Sequence, residues 1–403
     1  MLKKKNIKVI QIILLLIPFF ELQSWSQLAE QSIAPHFFEG ILSVYSGLRL
    51  VISMFVVLDT ISKNRISRST TTICILVFVV LENISSLLNG SLYLRFTIGS
   101  FALFGFALLC QESIHRNRRE FISACKILFG ALSIIGAIQI ILMPYGFLNA
   151  RYKAYAIYLL GSKNSSFFYY VVYIFFSFYD DIENYKKIGK KSFAMIAIFV
   201  VAAFSCESMN TLMMLLMISV FAIAINYSSF IRQILKPWYV IAVVVTVAVI
   251  LLNSAIRELL TPILNLIGRD ATFTGRDVLW YQAIHFFKKR PFAGNGILTE
   301  YRLIDGVMQD NAHSQFLDLL AKYGVFVFAT YISIPILALA KVVKKDKWNS
   351  RIIALKSSIA FVVMFHSIID HMTMFHFILL MSSIELIRLT NSIQKVPGWI
   401  KSY

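Results

Sequence analysis

Long apolar runs recur along the whole chain, separated by short polar stretches that hold most of its charge. A helix crosses a bilayer with about 20 apolar residues. About twelve runs approach that length: 7–22, 37–59, 70–88, 92–111, 121–143, 165–180, 192–207, 210–226, 238–253, 314–340, 352–369 and 372–389. No repeat recurs at a fixed period, and the two halves show no similarity to each other. The expected fold is all-α: a polytopic membrane helix bundle of about 12 transmembrane helices. Such helices pack into one bundle, so 1–403 is read as a single integral membrane domain rather than divided by length.

The pattern breaks at 254–312, a polar and aromatic segment of about 60 residues between the ninth and tenth runs, too long for a simple connector. Within it, Thr274-x-x-Asp277 has the form of a capping box, which satisfies the first free N–H groups of a helix. Residues 276–290 then place Trp280, Ile284 and Phe287 on one face, with Val278 and Tyr281 near it. Lys288, Lys289 and Arg290 sit at the negative end, and Pro291 stops the helix. Periodicity alone allows two placements. The helix is either amphipathic and interfacial, aromatic side down on the membrane, or a lid packed on the bundle.

Composition agrees with the hydropathy. Hydrophobic residues make up 58% of the chain and charged residues 15%, where a soluble domain carries about 25% charge. The net charge of +18 changes the picture only through its placement. With the N-terminus inside, the cytoplasmic segments are 1–6, 60–69, 112–120, 181–191, 227–237, 341–351 and 390–403. They and their flanks hold about 24 Lys and Arg, including Lys3-Lys4-Lys5, Arg116/Arg118/Arg119 and Lys344-Lys345. The short outer loops hold Arg151, Lys153 and Lys163. That bias puts both termini in the cytoplasm and 254–312 outside, as a large extracytoplasmic loop. It also argues against a nucleic-acid surface, so no nucleic acid is expected as a partner. Lys3-Lys4-Lys5 before an apolar run resembles a secretory signal, but no small-x-small site follows Glu21, and the first span is expected to stay uncleaved. Cys74, Cys110, Cys125 and Cys206 lie in or beside spans and read as small buried hydrophobes.

The candidate chemistry sits mainly between Thr274 and Gly324. Arg276 lies in the first turn of the predicted helix, where free N–H groups and the dipole already favour an anion. Its guanidinium adds bidentate capacity for phosphate, unless a neighbour such as Asp277 or a lipid headgroup takes it up. His313 stands before Ser314 at the mouth of the tenth run, and a histidine at a membrane–water boundary can be neutral or charged. It suits either proton abstraction from a hydroxyl or a phosphate contact, or it simply bonds a carbonyl at a helix start. Charges within spans are functional candidates by default. Arg49 needs a buried acid such as Glu39 or Glu82, or a lipid-phosphate cavity; Arg95 can snorkel outward. Glu207 and Asp370, at outer ends of the seventh and eleventh runs, suit sugar hydroxyls or an arginine, and His371 is an alternative base.

Gly275-Arg276, Trp280, Arg290-Pro291-x-x-Gly294-x-Gly296, then Asn311-Ala312-His313-Ser314 and Gly324 together resemble the motifs of the O-antigen polymerase/O-antigen ligase superfamily. The close similarity covers about 50 residues, and span count and the late outer loop extend it over the chain. Val327 departs from it, where many members carry a second glycine. The Gly161-x-x-Asn164 turn is loosely similar to another recurrent feature.

The resemblance implies a glycosyltransferase on the outer face of a bacterial cytoplasmic membrane. Its donor and acceptor would be oligosaccharide repeat units on undecaprenyl diphosphate, polymerised into a capsular polysaccharide or exopolysaccharide. Partners would include the lipid bilayer, and a chain-length regulator and flippase of the same pathway. It implies no cofactor and no metal; consistently, the first outer loop (23–36) has no acidic pair. Cations must then balance the leaving diphosphate: Arg276 first, Arg151 next, Arg302 and Arg269 after them. His313 would be base or phosphate ligand; Arg49, Asp370 and Glu207 would bind substrate. Two alternatives remain open: O-antigen-ligase-type transfer to another acceptor, and a multi-span lipid-linked-sugar flippase or transporter. The second fits less well, because no internal repeat or broken midplane helix is visible.

Overall fold

The computed structural model describes residues 2–30, 34–63, 69–147, 156–252, 262, 276–303, 306–346 and 349–387. Its helices are α1 (Leu2–Leu16), α2 (Gln23–Glu30), α3 (Pro35–Ser62), α4 (Thr70–Leu88), α5 (Leu94–Leu142), α6 (Ser166–Tyr185), α7 (Lys190–Ser205) and α8 (Met209–Tyr227). They continue as α9 (Ser229–Ile234), α10 (Pro237–Leu252), α11 (Arg276–Lys289), α12 (Gln315–Tyr323), α13 (Val325–Asp346), α14 (Ser350–Ile369) and α15 (Met374–Leu386). Strands β1 (Tyr301–Arg302) and β2 (Met308–Gln309) pair antiparallel, with Tyr301 opposite Gln309. The protein is an all-α polytopic membrane protein. Among the described residues, 7 stretches are long and apolar enough to cross a membrane, and Pro237–Ile250 and Met374–Leu386 are shorter apolar helices.

Among the described residues, each predicted apolar run falls mostly on helix, with two departures. The runs 92–111 and 121–143 are the two arms of α5, whose 49 residues are about twice the length that spans a bilayer. The helix kinks at Asn117 (φ −139°, ψ 49°), inside the polar stretch His115–Glu120. The run 314–340 is not one helix. Gly324 divides it into α12 and α13, and only Val325–Val342 has the length and hydropathy of a crossing.

Polar contacts sort the loops into two ends. At one end Lys8 donates to Asn117 at 3.0 Å, Arg116 lies 3.7 Å from Asp59, and Arg118 pairs with Glu183 at 2.6 Å. Buried Glu385 accepts the Thr71 N–H at 2.8 Å and the Lys341 ammonium at 2.7 Å, tying the start of α4 to the ends of α13 and α15. These are the segments predicted to face one side. At the other end meet the starts of α6, α8 and α12 and the end of α14. Small residues let the helices approach, as expected where packing rather than hydrophobicity drives association. A Cβ on Gly105 would lie 2.3 Å from that of Ser53. Cys110, Cys125 and Cys206 are buried and Cys74 half-buried, all with free thiols.

The Trp280 side of the α11 helix packs on protein. Leu279, Trp280 and Ala283 are buried against Tyr301, Ala312, Leu317 and Ala321, in a small core of the loop's own. Tyr281, expected beside the apolar face, is 75% exposed. The reason is α12: broken off from α13, it offers α11 a second apolar surface at the bundle end. The Pro291–Gly296 turn locks the two together. Asn295 and Gly296 N–H groups donate to Ala321 and Lys322 carbonyls at 3.0 and 2.8 Å, and Val325 N–H donates to Pro291 O at 2.8 Å. The last carbonyls of α12 are thus capped by another segment rather than by water. Only glycine fits at 294: φ is +66°, and a Cβ would sit 2.2 Å from the Lys322 carbonyl oxygen. The same turn docks on the α4–α5 corner, where Ala293 O accepts from Asn89 Nδ2 at 3.1 Å and Arg290 donates to Asn89 Oδ1.

Candidate active site

Two of the predicted residues, Arg276 and His313, converge on a third, the carboxylate of Asp370. Asp370 follows the last turn of α14 and is 6% exposed. Its Oδ2 accepts from Asn164 Nδ2 at 2.9 Å, Asn210 Nδ2 at 3.1 Å and Arg276 Nη2 at 3.3 Å. Its Oδ1 accepts the His371 N–H at 2.9 Å and faces His313 Nδ1 at 3.5 Å. Elements far apart in the chain deliver these groups. The Gly161 turn starts α6 beside Asn164, Asn210 opens α8, Arg276 opens α11, and His313 precedes α12.

Each is held by local structure. Arg276 is not an open fork at a helix start: Nη1 donates to Ile369 O and Nη2 to Asp370, and its side chain is 21% exposed. A guanidinium has five donors, so donors remain for a ligand while the two internal bonds set its direction. His313 adopts a left-handed backbone, φ 48°, at a typical cost of about 1–3 kcal/mol for a non-glycine residue. Asn311 Oδ1 accepts its N–H at 3.1 Å. Asp318 Oδ1 accepts the Ala312 N–H at 3.3 Å, and Lys322 pairs with Asp318 at 3.2 Å while donating to Asp310 O. Ser314 caps α12 by accepting from Leu317 N–H at 3.4 Å, and Gln315 N–H donates to Asp370 O at 3.2 Å. The strained histidine is therefore clamped from both sides, with its imidazole 36% exposed.

Burial opposes ionisation of Asp370. The Arg276 charge, the hydrogen bond with His313 and the His366 imidazole outweigh it and hold the carboxyl well below the usual carboxylate range. Asp370 is thus a permanent anion. Burial also pulls the His371 imidazole below its ordinary value; Asp318 and Asp370 act in the other direction without overcoming it. Glu207 is exposed at the rim, also left-handed at φ 54°, and its carbonyl accepts from Lys163 at 3.4 Å.

Other predicted residues stand elsewhere. Arg49 does pair with an acid, but with the partly buried Glu21 rather than Glu39 or Glu82, and its guanidinium lies 5.7 Å from the Phe375 ring. Arg302 is exposed in the β1–β2 hairpin, its backbone tied to Gln282 through an N–H bond of 2.9 Å and a carbonyl bond of 2.7 Å. Arg95 is exposed at the start of α5. Arg151, Arg269, Thr274 and Gly275 lie outside the described residues. Asn210 and His366 were not anticipated. Their one sequence signal was a polar side chain in an otherwise apolar helix.

An apolar groove of about 440 Å³ runs between α10, α12, α13 and α14, lined by residues such as Val240, Val244, Phe316, Leu320, Phe328 and Met364. Phe316 follows Gln315, whose N–H donates to Asp370 O, so one lining residue of the groove lies in the helix turn that touches the polar cluster.

Residues 192–332 match the family model described as O-antigen ligase, from α7 into α13. The matched stretch contains Asn210, Arg276 and His313, while Asp370 lies beyond it. The match supports the O-antigen polymerase/ligase superfamily and, with it, a membrane glycosyl-transfer or ligation role. Comparison with curated proteins returned no match.

Proposed function

We propose that the chain is a glycosyltransferase that polymerises undecaprenyl-diphosphate-linked oligosaccharide repeat units at the outer face of a bacterial cytoplasmic membrane. The carrying observation is the convergence of Arg276 and His313 on Asp370. With Nδ1 turned to a permanent carboxylate, the His313 ring proton belongs on Nδ1, which leaves Nε2 free to accept a proton. The acceptor hydroxyl gives its proton to Nε2 as its oxygen bonds to the anomeric carbon of the donor sugar. The bond from that carbon to the diphosphate oxygen breaks, and its electron pair leaves with undecaprenyl diphosphate. Arg276, pre-oriented by Ile369 O and Asp370, balances the charge that develops there. Asp370 stabilises the imidazolium that forms. The apolar groove that Phe316 helps to line supports a lipid-borne substrate, since its purely apolar lining suits part of a polyisoprenoid chain.

The test separates base from phosphate ligand. His313→Ala should lower turnover by roughly 10²–10⁴ while undecaprenyl diphosphate still binds the purified protein in detergent. His313→Arg should stay inactive, because a permanent cation cannot take a proton. Activity of the Arg variant, or weakened binding in the Ala variant, would make His313 a phosphate ligand instead. Wild-type polymer from His313→Ala would remove it from the site.

A second reading follows from the description of the matched family: ligation of the glycan to a different acceptor. Donor chemistry is the same in both. A product ladder spaced by one repeat unit, formed from lipid-linked units alone, supports polymerisation; transfer only onto a separate acceptor supports ligation.

A further inference from the structure

Asp370 has two neutral neighbours that the chemistry above does not use. Asn164 and Asn210 both donate to Oδ2, at 2.9 and 3.1 Å, on the side away from His313. Each is itself oriented. Ser208 Oγ donates to Asn164 Oδ1 at 2.7 Å and lies 2.8 Å from Thr211 Oγ1. Asn210 Nδ2 is also 3.2 Å from His366 Nδ1. His366 is fully buried, stacked on Phe167 at 4.8 Å and edge-on to Phe168 at 5.3 Å, so the ring cannot turn away.

We propose that Asn164 and Asn210 are positioning residues that keep Asp370 singly charged and aimed at His313, and that His366 fixes the amide of Asn210 for this purpose. The proposal rests on the reading of Asp370 and His313 given above. Two amide donors on Oδ2 lock the carboxylate plane and leave Oδ1 to the imidazole. Amides do this without adding charge. A second cation in either place would neutralise the anion that must stabilise a His313 imidazolium, and a second acid would compete for its protons. The amide direction carries the same sense. Asn210 Oδ1 is buried without a partner, a cost that a flipped amide would avoid only by turning its oxygen against Asp370. His366 Nδ1, as an acceptor, holds the productive orientation.

Turnover of lipid-linked repeat units and binding of undecaprenyl diphosphate, both in detergent, read the proposal. Asn164→Ala and Asn210→Ala should lower turnover about 10–100-fold, the usual effect of losing a supporting partner, with diphosphate-lipid binding nearly unchanged. Asn210→Asp keeps the shape but makes two carboxylates share a proton, so it should be worse than Asn210→Ala in a protein that elutes as a single folded species. His366→Asn, whose Oδ1 replaces the Nδ1 acceptor, should retain more activity than His366→Phe, which keeps only the packing. Adding Asn210→Ala to Asp370→Asn should cost nothing further, because the amide acts through the carboxylate.

Wild-type turnover from both alanine variants, alongside an impaired Asp370→Asn, would overturn the positioning role and leave the site reading standing. Multiplying losses in the double variant would also overturn it, since the amide would then act independently. Wild-type turnover from Asp370→Asn itself would overturn the site reading, and this proposal with it.

Discussion

Asp370→Asn is the most telling single change, because it alters one atom at the point where the site converges. The amide has one acceptor oxygen where the carboxylate has two. On the Oδ2 side an NH₂ would meet the Asn164, Asn210 and Arg276 donors, at 2.9, 3.1 and 3.3 Å. The amide oxygen must therefore stay on that side, and the NH₂ faces His371 N–H and His313 Nδ1. A donor opposite Nδ1 forces that nitrogen to accept, which moves the ring proton to Nε2 and removes the base. Turnover should fall roughly 10²–10⁴-fold, the range for losing a general base or its correct tautomer. Arg276 keeps its bond to Ile369 O but loses its anion. Its side chain is 21% exposed, and water screens part of the loss, so stability should drop by about 1–3 kcal/mol. The assay pairs turnover of lipid-linked repeat units in detergent with thermal melting of the same preparation. Full turnover from a folded Asp370→Asn protein would refute the assignment of His313 as an Asp370-oriented base.

Arg276→Lys keeps a charge but cannot reach Ile369 O and Asp370 together, so turnover should fall about 10–100-fold; Arg290→Lys, an exposed side chain whose partner is the half-buried Asn89 amide, should be mild. Equal tolerance at the two positions would reduce Arg276 to a structural tie. Gly294→Ala forces a side chain against the Lys322 carbonyl at a positive φ, and limited proteolysis should show the 291–303 segment cut faster, at a cost of at least about 1–3 kcal/mol. His371 has its imidazole lowered on folding, so between that lower value and about 6.5 the unfolded chain binds the extra proton. Stability is complete above the unfolded value and is lost as pH falls through this window. Melting temperatures from pH 7.5 down to 5 should show a slope that His371→Gln flattens, and an unchanged slope would assign the loss to other groups.

Hydropathy and charge alternation were enough to specify an all-α membrane protein, since bilayer thickness and the need to satisfy every backbone group in lipid leave few options. Arg276, Asp370 and His313 also stood out, because a charge or imidazole at a membrane boundary is costly unless it has work or a partner. Partners were another matter. Nothing in the local pattern joins residues 164, 210, 276, 313 and 370; their distances arise from how the starts of α6, α8, α11 and α12 stack around the end of α14. Arg49 shows the same limit, since Glu21 reaches it only through the turn between α1 and α2. The α11 helix was legible as a helix but not as a lid: its periodicity is the same whether its apolar face meets lipid or protein. The interlock of Gly294 with the end of α12 chose protein, because once Gly324 breaks the tenth run, α12 exposes an apolar side and free carbonyls that only the 291–296 turn and α11 can cover.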